Sequence, residues 1–354
     1  MENLGLIREG TGNAVLRPIP VPRLLDDYIL VRTVAIALNP TDWTTIDAKG
    51  DDGTVVGCDY SGIVEEVGKA VTKPFKKGDR IAGFAHGGND ANPENGAFAK
   101  FIAVKGDIQM HIPDGVTFEA AASVGVAIGT VGYGLYKILN LPSPDTKPAD
   151  DGKFILIYGG STATGTVAIQ FAKMSGRQVI TTCSSKHFAL MQERGADFVY
   201  DYRDPDVGEQ ILHQTAGALT DVFDTVAEEA TAAICAKAIG PHGGVYCNLL
   251  GTDCPRKDVQ SIFYLGYSQS GEEYIFEGEM YPAEPGDFVF GSKFYGIADK
   301  LWAEGKWQPH PQRVRQGGLI GAVDGMQEMR SGKGPSGEKW VYLVDDTKWP
   351  QSQA

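Results

Sequence analysis

The sequence predicts an α/β protein of two domains, a β-rich domain split in sequence around a doubly wound parallel-sheet domain. Three observations predict it. At 354 residues the chain exceeds the range over which one hydrophobic core keeps growing. Its first part reads as short β-branched runs broken by glycine and proline. From Gly152 strands alternate with helices, and strand character returns near the C-terminus.

The elements follow in order. Tyr28 to Ile36 is a β-branched run stopped by Asn39-Pro40. Cys58 to Gly68 is a second such run, and Lys77 to Gly83 a turn entering a third, a spacing that suits a small barrel or sandwich. Leu139 to Gly152, with Pro142, Pro144 and Pro148, reads as an exposed loop near a boundary. Beyond it come a strand Phe154–Tyr158, a glycine- and hydroxyl-rich loop, and a helix pattern from Val167 to Met174. Next come a strand Gln178–Cys183, a helix Phe188–Arg194 and a strand Phe198–Tyr200. A helix around Ile211 and a strand from Asp221 complete the series. Such alternation predicts parallel strands with right-handed crossovers. From Lys300 strands return, notably Lys339 to Val344. The expected boundaries are 1–130 and 300–354 for the β-rich domain and 131–299 for the nucleotide-binding domain.

Composition narrows the function. Hydrophobic residues make up 42% and charged residues 22%, ordinary for a globular protein. The net charge of −13 argues against nucleic-acid or anionic-membrane surfaces, which need clustered Lys and Arg. No signal-like N-terminus and no membrane-helix stretch of about 18 uninterrupted apolar residues is evident. The five cysteines are scattered without a C-x-x-C pair, which fits free thiols and a cytoplasmic location.

The loop Gly159-Gly160-Ser161-Thr162-Ala163-Thr164-Gly165 follows a strand and opens a helix. There glycines admit a close backbone approach, and the helix start offers amides and a positive dipole end to phosphate. The alternative is a plain N-cap. An NAD-binding domain usually places Asp or Glu about 20 residues on, at the end of the second strand. Here Ser184-Ser185-Lys186-His187 stands instead, without a carboxylate to repel a 2′-phosphate and with a lysine to attract it, unless Lys186 is a solvated helix-start residue. Tyr202 and Arg203 are placed to flank the adenine and phosphate. The six histidines sit apart, with none at metal-ligand spacing, so no metal is expected.

Asn39-Pro40-Thr41-Asp42, Gly57-Cys58-Asp59-Tyr60-Ser61-Gly62, Gly78-Asp79-Arg80-Ile81 and Gly96-Ala97-Phe98-Ala99, followed by the inserted domain, resemble the medium-chain dehydrogenase/reductase superfamily. Zinc members carry Gly-His-Glu where this chain has Gly57-Cys58-Asp59, and a four-cysteine run that it lacks. The resemblance therefore implies a zinc-free reductase with a GroES-like catalytic domain and a Rossmann domain. Within that group Tyr158 to Thr164, Thr182-Cys183-Ser184, Asp201-Tyr202-Arg203, Ala238-Ile239-Gly240, Gln316-Gly317-Gly318 and Ser336-Gly337-Glu338-Lys339 resemble the trans-acting enoyl reductases of fungal polyketide biosynthesis, the lovastatin type.

That resemblance implies an NADPH-dependent oxidoreductase that reduces the α,β-double bond of a polyketide held as an enoyl thioester on the acyl carrier domain of a polyketide synthase or PKS-NRPS. The implied NADPH contacts are Thr41, Asp42, Trp43 and Thr44; Ser161, Thr162, Ala163 and Thr164; Ser184, Ser185, Lys186 and His187; Tyr202; Leu249 and Leu250; Ser336 and Gly337. The implied substrate groove is Gly132, Tyr133, Gly134, Leu135, Tyr136, Lys137, Ile138 and Leu139 with Tyr267, Ser268, Gln269, Ser270 and Gly271, although Gly132 to Leu135 also read as a helix packed on the core. The lovastatin type has a lysine where this chain has Thr44, and a threonine hydroxyl is too weak an acid to replace it. The proton donor is therefore open: water, Tyr60 and Tyr133 are candidates beside Thr44 itself. Two alternatives stay open: a free-standing NADPH quinone or enone reductase, and a non-redox, cyclase-like enzyme that retains the cofactor pocket. Lys137, Lys257 and Lys293 are candidates for a basic rim facing an acidic carrier. The Ser, Gln and Tyr-rich Tyr264 to Gly271 replaces the strand through which relatives dimerise, so a monomer is expected.

Overall fold

The computed structural model describes residues 2–146, 148 and 151–348. Residues 1 and 349–354 of the expected β-rich domain and 147, 149 and 150 of the expected boundary loop lie outside that range. The chain divides into two compact units, Met1–Val126 with Tyr267–Glu304 and Pro309–Ala354, and Ala127–Gly266 with Gly305–Gln308.

The first unit is organised on the strand Tyr28–Ala37, whose ten residues are mostly apolar or β-branched and mostly buried. It pairs antiparallel with Asp59–Val67, Phe101–Lys105 and Lys339–Leu343. Strands Arg80–Phe84 and Gln109–His111 extend the sheet on one side, and Gln312–Arg315 on the other. Side chains such as Ile29, Val31, Tyr60, Ile81, Phe98 and Tyr342 fill the core it encloses. Asn39-Pro40 ends the central strand because Asn39 is extended (φ −123°) and Pro40 opens the helix Pro40–Asp47, where its missing N–H costs nothing. Asp42 reaches back from that first turn and accepts a hydrogen bond from the Asn39 amide at 2.7 Å.

The second unit is a six-stranded parallel sheet in the order Phe198–Asp201, Gln178–Cys183, Phe154–Tyr158, Asp221–Asp224, Gly244–Asn248, Val259–Phe263. The order runs outward in both directions from the first strand, the pattern that makes a switch point beside it. Helices Ala163–Met174, Phe188–Glu193, Val207–Gln214 and Glu229–Ala238 connect the strands. Gly134 lies in a π-helical turn, Gly132–Ile138, close to the sheet: a Cβ there would stand 2.7 Å from the Phe223 ring.

The expected 131–299 boundary fails at its far end. Tyr267–Glu304 belongs to the first unit, where the helix Pro285–Ala303 packs: Tyr295 Oη donates to Gly125 O at 2.9 Å, and Asp299 accepts the His111 amide at 3.1 Å. Glu272 joins it there by accepting from Tyr28 Oη at 2.6 Å and Lys105 Nζ at 2.8 Å. Among the described residues one helical stretch, Phe118–Ile138, is apolar and long enough to cross a membrane, which the sequence reading had not flagged. Of its apolar 18-residue window 72% is buried, as in core helices.

Candidate active site

The Rossmann unit gathers its candidate residues at the C-terminal ends of neighbouring strands. After Phe154–Tyr158 the chain turns through Gly159 at φ +79°, where a Cβ would meet Thr225 Oγ1 and Val226 Cγ2 at 2.7 Å each. The Gly159 amide donates to Thr182 Oγ1 (3.1 Å) and the Gly160 amide to Thr182 O (2.9 Å), tying this loop to the next strand. Thr162 is the N-cap of Ala163–Met174: its Oγ1 accepts the Gly165 amide at 2.9 Å and lies 2.9 Å from Thr225 Oγ1. That hydroxyl is committed to structure. Ser161 and Thr164 are half-buried, and the amides of Ala163 and Thr164, in the first helical turn, have no intrahelical acceptor. The donor set fits a pyrophosphate at a helix N-terminus.

At the end of Gln178–Cys183, Ser185 and Lys186 are exposed. No ion pair is recorded for Lys186 among the described residues. Beside them the structure places a carboxylate that the sequence reading had not counted. Asp201 ends the neighbouring strand, accepts the Ser185 amide at 3.3 Å, and is clamped by Arg203 through Nε (2.9 Å) and Nη2 (2.6 Å). The Arg203 hydrogen bonds hold its carboxyl well below the usual range. Arg203 also reaches Ser185 Oγ at 3.3 Å, and its guanidinium lies 6.0 Å from the Tyr202 ring. The pair cancels in charge, so Lys186 carries the patch's net positive charge with the neighbouring His187 held below its ordinary pKa by burial. Leu249 and Leu250 follow Gly244–Asn248, where Asn248 Oδ1 accepts the Leu250 and Gly251 amides at 3.3 and 2.8 Å; Leu250 is 68% exposed.

Gly132, Tyr133, Gly134, Leu135 and Leu139 are buried, and Tyr136 Oη bonds to Ser175 Oγ at 2.8 Å. Tyr133 stacks on Tyr264 at 5.5 Å with Lys137 Nζ 4.8 Å from its ring. Of this segment Lys137 is exposed and Tyr136 and Ile138 half-buried; the rest packs as core, which removes Tyr133 as an open proton donor.

In the first unit Thr41, Trp43 and Thr44 lie on the helix Pro40–Asp47 with Thr44 exposed. Asp42 does not face outward: it is 2% exposed, its Oδ2 caps Asn39, and Oδ1 has no partner. Burial is the main reason its pKa rises to about 7. Tyr60 is fully buried and donates to Gln109 Oε1 at 2.8 Å, which withdraws it from acid chemistry with a substrate. Thr44 donates only to Thr41 O at 3.3 Å. Ser336 is exposed and Gly337 turns at φ +71° just before the strand Lys339–Leu343. Tyr267, Gln269 and Ser270 are buried, with Ser268 and Gly271 half-buried.

Asp59 is engaged by an ammonium. Lys339 Nζ pairs with its Oδ2, Asn39 Nδ2 donates to the same oxygen at 3.0 Å, and the Val126 amide donates to Oδ1 at 2.7 Å. Lys339 also donates to Asn39 Oδ1 at 2.7 Å. Among the described residues no three His, Cys, Asp or Glu side chains are grouped to hold a metal ion. The sequence reading quoted Lys339 and Asp59 as motif residues but had no signal for their pairing.

With the geometry in place, relatives can be compared. A zinc-binding dehydrogenase family model matches residues 163–265 and an alcohol dehydrogenase GroES-like domain model residues 26–114. The trans-enoyl reductase ACTTS2 of Alternaria alternata is 43% identical over 96% of this chain and 98% of its own. The chain belongs to the trans-enoyl reductases. Another member, TOXD of Cochliobolus carbonum, is 50% identical over 77% of this chain and 92% of its own. The fold is that of the CurK enoyl reductase, with a TM-score of 0.74 at 18% identity over 96% of this chain and 99% of that one. As a trans-enoyl reductase of the medium-chain fold, the chain is an oxidoreductase with a nicotinamide-nucleotide-binding Rossmann domain.

Proposed function

We propose that this trans-enoyl reductase uses NADPH, works without zinc, and reduces the α,β-double bond of an enoyl thioester carried by the acyl carrier domain of a polyketide synthase, which it meets transiently and as a monomer. The observation that carries the cofactor choice is Lys186, exposed beside Ser184 and Ser185 and in no ion pair among the described residues, while the nearby Asp201 is neutralised by Arg203. A 2′-phosphate gains charge-assisted hydrogen bonds there, whereas the ribose hydroxyls of NADH meet no free carboxylate. Zinc independence is supported by the commitment of Asp59 to Lys339.

The nucleotide, when bound, supplies hydride to the β-carbon. The chain's own residues do the rest. The first turn of Ala163–Met174 offers amides to the pyrophosphate, with Ser161 and Thr164 adding hydroxyl donors. Thr162 holds that turn by spending its hydroxyl on the Gly165 amide.

The test follows NADPH and NADH absorbance in parallel with a short enoyl-pantetheine thioester. NADPH consumption with saturated product and poor use of NADH are expected. Lys186→Ala should raise the KM for NADPH about tenfold, the loss of one charge-assisted contact, and leave that for NADH unchanged. Equal use of both nucleotides by the wild type defeats the NADPH reading, and soluble quinones reduced as fast as the thioester would favour a quinone reductase.

A further inference from the structure

The amides offered to the pyrophosphate stand in a turn that must already be in place when a nucleotide arrives. Thr182, on the strand Gln178–Cys183, anchors one side of that turn through the Gly159 and Gly160 amides. The other side rests on Thr225. It follows the strand Asp221–Asp224, which pairs with Phe154–Tyr158 on the edge opposite Gln178–Cys183, across the switch point. Thr225 Oγ1 lies 2.8 Å from Tyr158 O, 3.1 Å from Gly159 O and 2.9 Å from Thr162 Oγ1. The chemistry of the partners sets the direction. A carbonyl only accepts, so the Thr225 hydroxyl donates to the Tyr158 and Gly159 oxygens and accepts the Thr162 hydroxyl, while Thr162 Oγ1 accepts the Gly165 amide at 2.9 Å. One unbroken run of hydrogen bonds thus leads from the first turn of Ala163–Met174 back to the residues that open the turn.

Thr225 is itself held firmly. Its amide donates to Tyr158 O at 3.1 Å. The preceding Asp224 is fully buried: Oδ1 accepts the Val226 and Ala227 amides at 2.9 Å each, and Oδ2 accepts Thr231 Oγ1 at 2.6 Å and Tyr246 Oη at 2.8 Å. Ala227 is bent to φ +62°, a left-handed conformation that costs alanine energy, and its carbonyl accepts Thr252 Oγ1 at 2.6 Å. Such a conformation persists only where the surroundings over-determine it. The segment behind Thr225 therefore does not give.

We propose that Thr225 is a positioning residue for the pyrophosphate, acting through the Gly159–Thr164 turn. The proposal rests on the reading that the first turn of Ala163–Met174 takes the pyrophosphate. Without the Thr225 hydroxyl, the Thr162 O–H loses its acceptor and the Gly159 carbonyl its donor. The turn is then ordered at the expense of binding, a cost that the wild type meets on folding. The pyrophosphate is common to NADPH and NADH, so Thr225 serves both alike. It contributes nothing to a ligand that carries only the 2′-phosphate.

Thr225→Val keeps the shape and removes the hydroxyl, and Thr225→Ser keeps the hydroxyl. The dissociation constants of NADPH and NADH are read by fluorescence and that of adenosine 2′-monophosphate by calorimetry. Thr225→Val should weaken both dinucleotides by the same factor, about 3- to 10-fold, the worth of one hydrogen bond. Adenosine 2′-monophosphate should bind as before, and Thr225→Ser should stay close to the wild type. Unchanged dinucleotide affinities overturn the proposal. So does equal weakening of all three ligands, the mark of a general loosening of the unit, and so does a serine variant as weak as the valine one. A wild type that binds NADPH no more tightly than adenosine 2′-monophosphate shows that the turn takes no pyrophosphate, which defeats that reading and the proposal with it. Should Thr225→Val fail to fold, Thr225→Ala removes the hydroxyl in a smaller side chain and is judged by the same outcomes.

Discussion

Asp42 sits in the first turn of Pro40–Asp47 with one carboxyl oxygen on the Asn39 amide and the other buried without a partner. Ionising it there is unfavourable because burial strips water from the charge, and the neighbouring Asp59 adds to the effect, partly offset by Lys339. Its pKa stands at about 7 in the folded chain against 3.8 as the ordinary value. A folded pKa above the unfolded one gives stabilisation that is complete below the unfolded value and is lost as pH rises through the folded value. Wild type should therefore lose stability relative to Asp42→Asn between about pH 4 and pH 7, by at most about 4 kcal/mol at roughly 1.4 kcal/mol per pH unit. Urea unfolding of both proteins at several pH values checks it; parallel curves for the two would show that Asp42 titrates normally. At Asp42 the sequence showed only the motif: Asn39-Pro40 stops a strand, whereas the burial of the Asp42 carboxylate depends on strands far away in the chain.

At the scale of elements, the same pocket ties three segments together. Lys339, at the start of the strand Lys339–Leu343, pairs with Asp59 at the start of Asp59–Val67. Asn39 links both to the end of Tyr28–Ala37, and Asp59 also holds the Val126 amide. Both charges are almost fully buried, at 4% and 0% exposure. Removing one leaves the other without compensation, which typically costs about 3–5 kcal/mol. Lys339→Met should lose about that much stability in chemical denaturation. Adding Asp59→Asn should recover part of it, since the uncompensated charge is then gone. A double variant no better than the single would mean that packing, not charge, sets the loss. The first four strands of the Rossmann unit were legible because each is a compact apolar run between turn signals: Phe154–Tyr158 and Gln178–Cys183 stand where the pattern put them, whereas Gly244–Asn248 and Val259–Phe263 and the helix Glu229–Ala238 before them were not read from the sequence. Residues 267–299 were expected in the Rossmann unit because strand character was read again only from Lys300, and the helix Pro285–Ala303 was not read from the sequence. What binds these residues to the first unit is side-chain chemistry at long range, such as Glu272 on Lys105, which has no local signature. The substrate segment Gly132–Leu139 was half legible: its small and aromatic residues suit a slot and a core equally, and the close fit of Gly134 on Phe223 selects the core for most of them.

For the whole molecule, the division into two units decides how nucleotide binding is felt. The residues proposed to grip the pyrophosphate and the 2′-phosphate all belong to the Rossmann unit, and so does Trp307, which is 2% exposed and lies 5.8 Å from the Phe171 ring. A ligand that binds the folded unit and not the unfolded chain stabilises it by mass action, by about 2.7 kcal/mol at a free concentration of one hundred times Kd. The dependence is on concentration relative to affinity. At equal concentrations, therefore, NADPH should raise the unfolding temperature of the full chain more than NADH, in proportion to the logarithm of their Kd ratio. Lys186→Ala should bring the two shifts together by lowering that for NADPH alone, because the amides of the Ala163–Met174 turn serve both nucleotides and the lysine serves only the one with the extra phosphate. Scanning calorimetry of wild type and variant with each nucleotide reads all four shifts. If the variant lowers both shifts equally, Lys186 contributes a general field at the site rather than recognition of the 2′-phosphate, and the preference for NADPH would then have to come from Ser184, Ser185 and the Arg203–Asp201 pair opening to the phosphate.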